Sequence, residues 1–181
     1  MRQEGCVLRS CGSISAGALQ AQADRYPHLR LGVKAIFFNP TLEVLLGKLP
    51  EGYPDRFNLP GGGIDEGEDL VVALFREASE EFHDFGLDLE QVRQSPVVAE
   101  GSLPFPRDGY RGKYEYLVAV PVPDLTTLVP KADSKIVLFP PMSWQAAADQ
   151  VWGDSRVVLD QRVLYERGFK AIPQAARLRT A

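Results

Sequence analysis

Residues 62–81 read Gly-Gly-Ile-Asp-Glu-Gly-Glu-Asp-Leu-Val-Val-Ala-Leu-Phe-Arg-Glu-Ala-Ser-Glu-Glu, and this stretch decides both the local fold and the chemistry. Gly62 stands six residues before Glu68; Arg76 and Glu77 follow as one pair, Glu80 and Glu81 as another. From Asp65 to Glu90 there are ten acidic side chains, against one arginine, Arg76, and one histidine, His83. Glu77 and Glu81 fall at i and i+4 with no lysine in the segment, a spacing at which like charges repel on a helix. A divalent cation is the natural compensation.

The run from Asp69 to about Phe82 has helical periodicity, with Val71, Leu74, Phe75, Ala78 and Phe82 on one side. On the same wheel Glu77, Glu80 and Glu81 lie within a sector of roughly 100°, beside the apolar stripe. Hard carboxylate oxygens suit Mg²⁺ or Mn²⁺, and Mg²⁺ takes one or two protein carboxylates and leaves its other positions to water and substrate phosphate. The preceding Leu59-Pro60-Gly61-Gly62-Gly63 cannot be helix, and its glycines let the backbone approach a ligand closely. Asp65, Glu66, Glu68 and Asp69 crowd the helix start, where acids favour the dipole; Glu68 is a further candidate metal ligand. Arg76 precedes Glu77 directly, and its fork can orient that carboxylate through paired hydrogen bonds.

These residues resemble the signature of the Nudix hydrolases: glycine, five residues, glutamate, seven residues, Arg-Glu, an aliphatic residue, any residue, Glu-Glu, any residue, then glycine. Gly62, Glu68, Arg76, Glu77, Glu80 and Glu81 match, and Ala78 holds the aliphatic position. The pattern departs at its end, where His83 and Asp84 stand and Gly86 arrives three residues late. A longer helix, with Gly86 as its C-terminal cap, is the expectation.

The resemblance implies an α/β (α+β) fold, an α/β/α sandwich with a mixed sheet between helices. It implies a Mg²⁺-dependent (or Mn²⁺-dependent) pyrophosphohydrolase that cleaves a nucleoside diphosphate linked to another moiety, such as a nucleotide sugar, a nucleoside triphosphate or a dinucleoside polyphosphate. Glu77 and Glu81 would ligate the metal first, Glu80 next, and Glu68 a second metal. Arg76 would orient Glu77, and the backbone around Gly62 would face the metal. The general base stays open among Glu77, Glu80, Glu100 and the acids of residues 122–135. The alternative is a Nudix-fold nucleotide-binding or regulatory module without hydrolysis. Retention of the repulsive cluster argues against it.

Composition bounds the partners. A chain of 181 residues with 45% hydrophobic content is enough for one ordinary domain. The net charge of −4 gives no basic footprint for long nucleic acid, so the expected partner is a small nucleoside diphosphate derivative; a homodimer is compatible with this. Cys6 and Cys11 have no histidine nearby and read as ordinary thiols rather than a zinc site. The chain has no apolar run near the ~18 residues of a membrane span and no signal-peptide core, so the expected location is cytoplasmic.

Along the chain, residues 1–28 read as an N-terminal arm, mobile or with a short helix around 16–23, and 29–181 as a single domain. Residues 31–38 and 42–46 read as a hairpin about Asn39-Pro40-Thr41, and 57–59 as a short strand into the glycine turn. Strands are expected at 97–103, 114–120 and 136–139, with a long connection over 122–135. A helix capped by Ser143 runs to about Val151, and an amphipathic helix spans 155–167 with Gly168 as its stop. Lys48, Arg56, Gly62, Tyr110 and Arg111 are the candidate substrate contacts, with Arg107 and Lys113 as further basic groups. Tyr53, Phe57, Tyr114 and Tyr116 are candidate stacking rings, although the last two fit a core role on their strand better.

Overall fold

The computed structural model describes residues 8–49, 57–84, 86–104, 109–155 and 157–178. Strand β1 (Arg9–Ser10) and helix α1 (Ala16–Arg25) precede the long strand β2 (Leu29–Phe38). Short strands β3 (Glu43–Val44), β4 (Gly47–Lys48) and β5 (Phe57–Asn58) lead to helices α2 (Leu70–Glu81) and α3 (Leu89–Gln94). Strands β6 (Pro96–Leu103) and β7 (Gly112–Pro121) follow, then β8 (Val137–Leu138) and β9 (Met142–Ser143). Helices α4 (Trp144–Gly153), α5 (Leu159–Lys170) and α6 (Ile172–Arg177) close the described chain.

β2 and β7 run parallel, from the pair Leu29↔Gly112 to Phe38↔Pro121, at the centre of a sheet ordered β1-β6-β7-β2-β3-β9. The other pairings in that sheet are antiparallel, so it is mixed. A strand covered on both faces must be apolar on both, and these two are. Val33, Ala35 and Phe37 with Tyr116, Val118 and Val120 pack under α1, α2 and α3, while Ile36 and Phe38 with Leu117 and Ala119 pack under α4, α5 and α6. The result is the expected mixed sheet between helices. The β2–β3 hairpin is closed by Asn39, whose side-chain oxygen accepts from the backbone N–H groups of Thr41 and Glu43 at 3.1 and 2.9 Å. A smaller antiparallel sheet, β5-β4-β8, flanks the site side.

Three expectations are corrected. From residue 8 onward the N-terminal segment is part of the folded body. β1 pairs with β6, the Cys11 N–H bonds to Ser95 O at 2.7 Å, and Cys11, Ile14 and Leu19 are buried in the core under the sheet. Ser15 caps α1 by accepting from Ala18. Cys6 lies outside the described residues.

Helix α2 does not extend to Gly86. Asp69 caps its start, accepting from the Val72 N–H at 2.8 Å, and the helix stops at Glu81. Phe82 turns extended (φ −116°, ψ 148°) and buries its ring edge-on against Phe37, with centroids 5.7 Å apart. The chain then pairs with the connection before β8: Phe82 bridges Pro130, His83 N–H bonds to Val129 O, and Lys131 N–H caps Glu81 O at 2.8 Å. The helix's last carbonyl is satisfied by a distant backbone, so no glycine cap is required.

The last expected helix begins at Leu159 and runs through Gly168 to Lys170. Gly168 is a contact point instead of a stop. A methyl group there would lie 2.8 Å from Ile36 Cδ1 and 2.9 Å from Leu117 Cδ1, so the missing side chain lets α5 sit close on β2 and β7. Helix α3, capped by Asp88 through the Gln91 N–H at 2.7 Å, has no counterpart in the sequence reading. Among the described residues no helix is long and apolar enough to cross a membrane.

Candidate active site

The glycine loop is fastened to the edge of β2 that β3 leaves open. Ala35 N–H bonds to Pro60 O at 2.8 Å, Val33 N–H to Gly62 O at 3.0 Å, and Ile64 N–H to Leu31 O at 3.1 Å. This close run is possible because Gly61 has φ +120° and no Cβ, which would otherwise collide with the Val33 carbonyl. The loop presents its backbone to helix α2. Gly61 N–H donates to Glu81 Oε2 at 2.8 Å, and the Glu77 carboxylate occupies the space a side chain at Gly62 would fill. The loop backbone therefore bonds Glu81 and makes room for Glu77, one helical turn away.

Arg76 divides its donors differently from the sequence expectation. Its fork closes on Glu68, with Nε–Oε1 at 2.7 Å and Nη2–Oε2 at 2.9 Å. Glu77 receives one bond, from Nη1 to Oε1 at 2.9 Å, and Gly63 O accepts from Nη2 at 2.9 Å. Glu80, with its side chain 60% exposed, is reached at 3.3 Å. Glu68 also accepts from the Asp65 N–H at 2.9 Å, so both of its oxygens are engaged. The Arg76 hydrogen bonds hold the Glu68 carboxyl below its ordinary range, and Glu68 in turn raises Arg76. In this arrangement Glu68 is the clamp for Arg76.

Glu77, Glu81 and the loop glycines line a cavity of about 410 Å³. Of the candidate substrate contacts, Gly62 lies in it. Lys48 is exposed on β4 outside its lining; Arg111 is exposed, with its N–H bonded to His28 O. Tyr110 lines a separate cavity of about 520 Å³, against α1 and residues 64–68. Arg56, Tyr53 and Arg107 lie outside the described residues. Tyr116 is buried in the core, and Tyr114 stacks on Tyr26 at 6.0 Å. Glu100 pairs with Arg9 and does not line the glutamate cavity.

Of the further basic groups, Lys113 lines this cavity, and the structure adds Arg30, Lys34, Lys135 and Glu115, which the sequence reading does not name. Lys34 is buried, its ammonium donating to Gly61 O; burial and the neighbouring Lys113 pull its proton affinity down while Glu115, Glu81 and Glu77 push it up. Glu115 is buried and ion-paired with Lys113. One signal was available: Lys34 interrupts the apolar run Leu31-Gly32-Val33-Lys34-Ala35-Ile36, where a solvated lysine has no place.

Burial pushes the Glu81 carboxyl up to about 7; Lys34 and the Gly61 N–H oppose this, and Glu77 and Glu80 add to it. A buried carboxylate in that condition is stabilised in its charged form by a nearby cation. Among the described residues no three acidic, histidine or cysteine side chains form a ready-made metal cage. Glu77 and Glu81 supply two carboxylates, which fits a Mg²⁺ ion completed by water and substrate phosphate.

A NUDIX domain model matches residues 28–161, from the start of β2 into α5. The chain belongs to the Nudix family. A stretch of 57 residues of the chain is 42% identical to RNA pyrophosphohydrolase of Caulobacter vibrioides (strain NA1000 / CB15N), over 31% of this chain and 33% of that protein. The match thus spans a third of the curated relative's length. The fold is similar to the MutT protein from Methanosarcina mazei Go1 (TM-score 0.54, 18% identity, 81% of this chain and 96% of that one). It is likewise similar to the E. coli dihydroneopterin triphosphate pyrophosphohydrolase (TM-score 0.54, 16% identity, 83% and 98%). At these identities the structural likeness speaks for the Nudix fold alone. The His83 departure in this Nudix chain falls after Glu81, outside helix α2.

Proposed function

We propose that this Nudix chain is a divalent-metal-dependent pyrophosphohydrolase acting on a small nucleoside diphosphate derivative. The observation that carries the reading is the placement of Glu77 and Glu81 on the Gly61–Gly62 backbone, inside a cavity that also holds Lys34, Lys113 and Lys135. The names of the RNA pyrophosphohydrolase and of the dihydroneopterin triphosphate enzyme point to the same bond type in different substrates.

In this reading water attacks one phosphorus of the P–O–P linkage, the bridging oxygen leaves with the other phosphoryl group, and two phosphorylated products form. Glu77 and Glu81, with Glu80 as a further candidate, would hold Mg²⁺ or Mn²⁺, which would supply neutralisation of phosphate charge and a more acidic water. Lys113 and Lys135 meet phosphate oxygens as point charges. Glu77 keeps one oxygen outside its bond to Arg76, which leaves it available to the metal. Arg76, locked on Glu68, fixes the orientation of Glu77.

Product analysis on a panel of nucleoside diphosphate derivatives, with Mg²⁺ and with EDTA, tests the reading. Metal-dependent release of a nucleoside monophosphate supports it. Tight nucleotide binding with no product on any member of the panel favours the regulatory-module alternative.

A further inference from the structure

Among the described residues, seven charged side chains line the glutamate cavity: Arg30, Lys34, Lys113 and Lys135 against Glu77, Glu81 and Glu115. At their ordinary charges these seven carry one net positive charge before any metal arrives. A dication entering alone would raise that to three. A diphosphate arriving with it would bring the sum back toward zero. Lys113 already has Glu115 as its ion-pair partner. Lys34 is different: it is the one buried cation among the described residues, and its hydrogen bond goes to the neutral carbonyl of Gly61, the residue whose N–H holds Glu81. Its charge is set among Glu81, Glu77 and Glu115 without a hydrogen bond to any of them.

We propose that Lys34 is a tethered counter-cation of this site. It balances Glu81 and Glu77 in the metal-free protein and holds down affinity for a free divalent cation, so that metal is taken up chiefly together with a phosphorylated ligand. The inference rests on the metal-site reading above. Lys34 touches neither substrate nor reacting atoms in this role; it sets the charge into which they bind. A like charge a few ångströms from a dication is unfavourable even at the dielectric constant of water. A metal can hold its place against it when substrate phosphates supply the missing negative charge.

The test separates charge from scaffolding. Lys34→Gln keeps a donor for Gly61 O and loses the charge, Lys34→Met loses both, and Lys34→Arg keeps both. Mn²⁺ binding to each protein without nucleotide is measured by electron paramagnetic resonance from about pH 7 to 8.5 and compared at the alkaline end, because Lys34 also holds the proton affinity of Glu81 down; inorganic pyrophosphate binding in EDTA is measured by calorimetry. Lys34→Gln is expected to bind Mn²⁺ about fivefold tighter or more, and pyrophosphate weaker by a similar factor. Lys34→Met should follow it if it folds, and Lys34→Arg should stay within about twofold of the wild type for both ligands. A merely structural role would weaken both ligands together. Unchanged or weaker Mn²⁺ binding in Lys34→Gln, or several-fold tighter binding in Lys34→Arg, overturns the proposal. If Mn²⁺ binds neither wild type nor Lys34→Gln, the metal-site reading fails and this inference with it. Equal binding to both sinks the lysine inference alone.

Discussion

The Arg76 guanidinium holds Glu68, eight residues earlier in the chain, through two hydrogen bonds of 2.7 and 2.9 Å. A third, to Gly63 O, ties the same side chain to the glycine loop. Arg76 thus joins three successive parts of the Nudix segment: the loop, the acidic approach to helix α2, and Glu77 on the helix itself. Its effect on chemistry passes through geometry, because a lysine keeps the charge but cannot make the planar two-point contact.

Arg76→Lys and Glu68→Gln should therefore behave alike. Each breaks the same fork and lets Glu77 lose its fixed orientation. A fall in kcat of about 10–100-fold, with a much smaller change in KM, is expected for both. Steady-state kinetics on the two variants decides it. A large rise in KM at unchanged kcat in Arg76→Lys would place Arg76 on the substrate, and a normal Glu68→Gln enzyme would remove Glu68 from the clamp.

The end of helix α2 is fixed by burial. Phe82 is 1% exposed, whereas His83 beside it is exposed. Phe82→Ala should cost about 3–5 kcal/mol of stability. His83→Gly, which restores the family's residue, should change stability by no more than about 0.5 kcal/mol. Urea denaturation of both variants checks the contrast. A strongly stabilising His83→Gly would mean that the glycine position governs the helix end after all.

The glycine-to-glutamate segment was legible because both of its determinants are local. Asp69 caps the helix within three residues, and the glutamates share one helical face by spacing alone. The long strands were legible because apolar runs covered on both sides leave little else for residues 31–38 and 114–120 to be. What was hidden depended on partners far away in sequence. The end of α2 is set by Val129, Pro130 and Lys131, and no helical rule inside residues 69–86 carries that information. Gly168 reads as a stop in one dimension and as a contact point in three. Cys11 and Leu19 sit in a segment of small polar residues, and their burial follows from the pairing of β1 with β6. Lys34 was passed over because its strand reads as core, although a charge in a core strand itself signals a site.

Cys11 gives a pH prediction independent of the active site. Burial pushes its thiol from the ordinary 9.0 up to about 12, with Asp69 adding to the shift. The unfolded chain releases this proton near pH 9 and the folded protein retains it to about 12, so the folded state binds more protons between those values. The contribution is fully present below pH 9 and is lost as pH rises through that window, at up to about 1.4 kcal/mol per pH unit. In a Cys6→Ser background, the stability difference between Cys11 and Cys11→Ala proteins should shrink from pH 8 to pH 11. A difference that stays constant would show that Cys11 titrates normally. At pH 7.5 the same native protein should react slowly with a thiol reagent and quickly once unfolded.

Glu81, held by the Gly61 N–H, is the proposed metal-binding carboxylate on which hydrolysis would depend. Glu81→Gln keeps the side chain's size and an acceptor for that N–H but removes the charge. Hydrolysis of the best nucleoside diphosphate derivative is measured across a Mg²⁺ titration for wild type and Glu81→Gln, with folding of both verified by thermal melts. The variant is expected to fold and to lose at least about 100-fold in kcat at saturating Mg²⁺, on the scale of a lost metal ligand or its support. A folded Glu81→Gln protein with near-wild-type turnover and an unchanged Mg²⁺ requirement would contradict it.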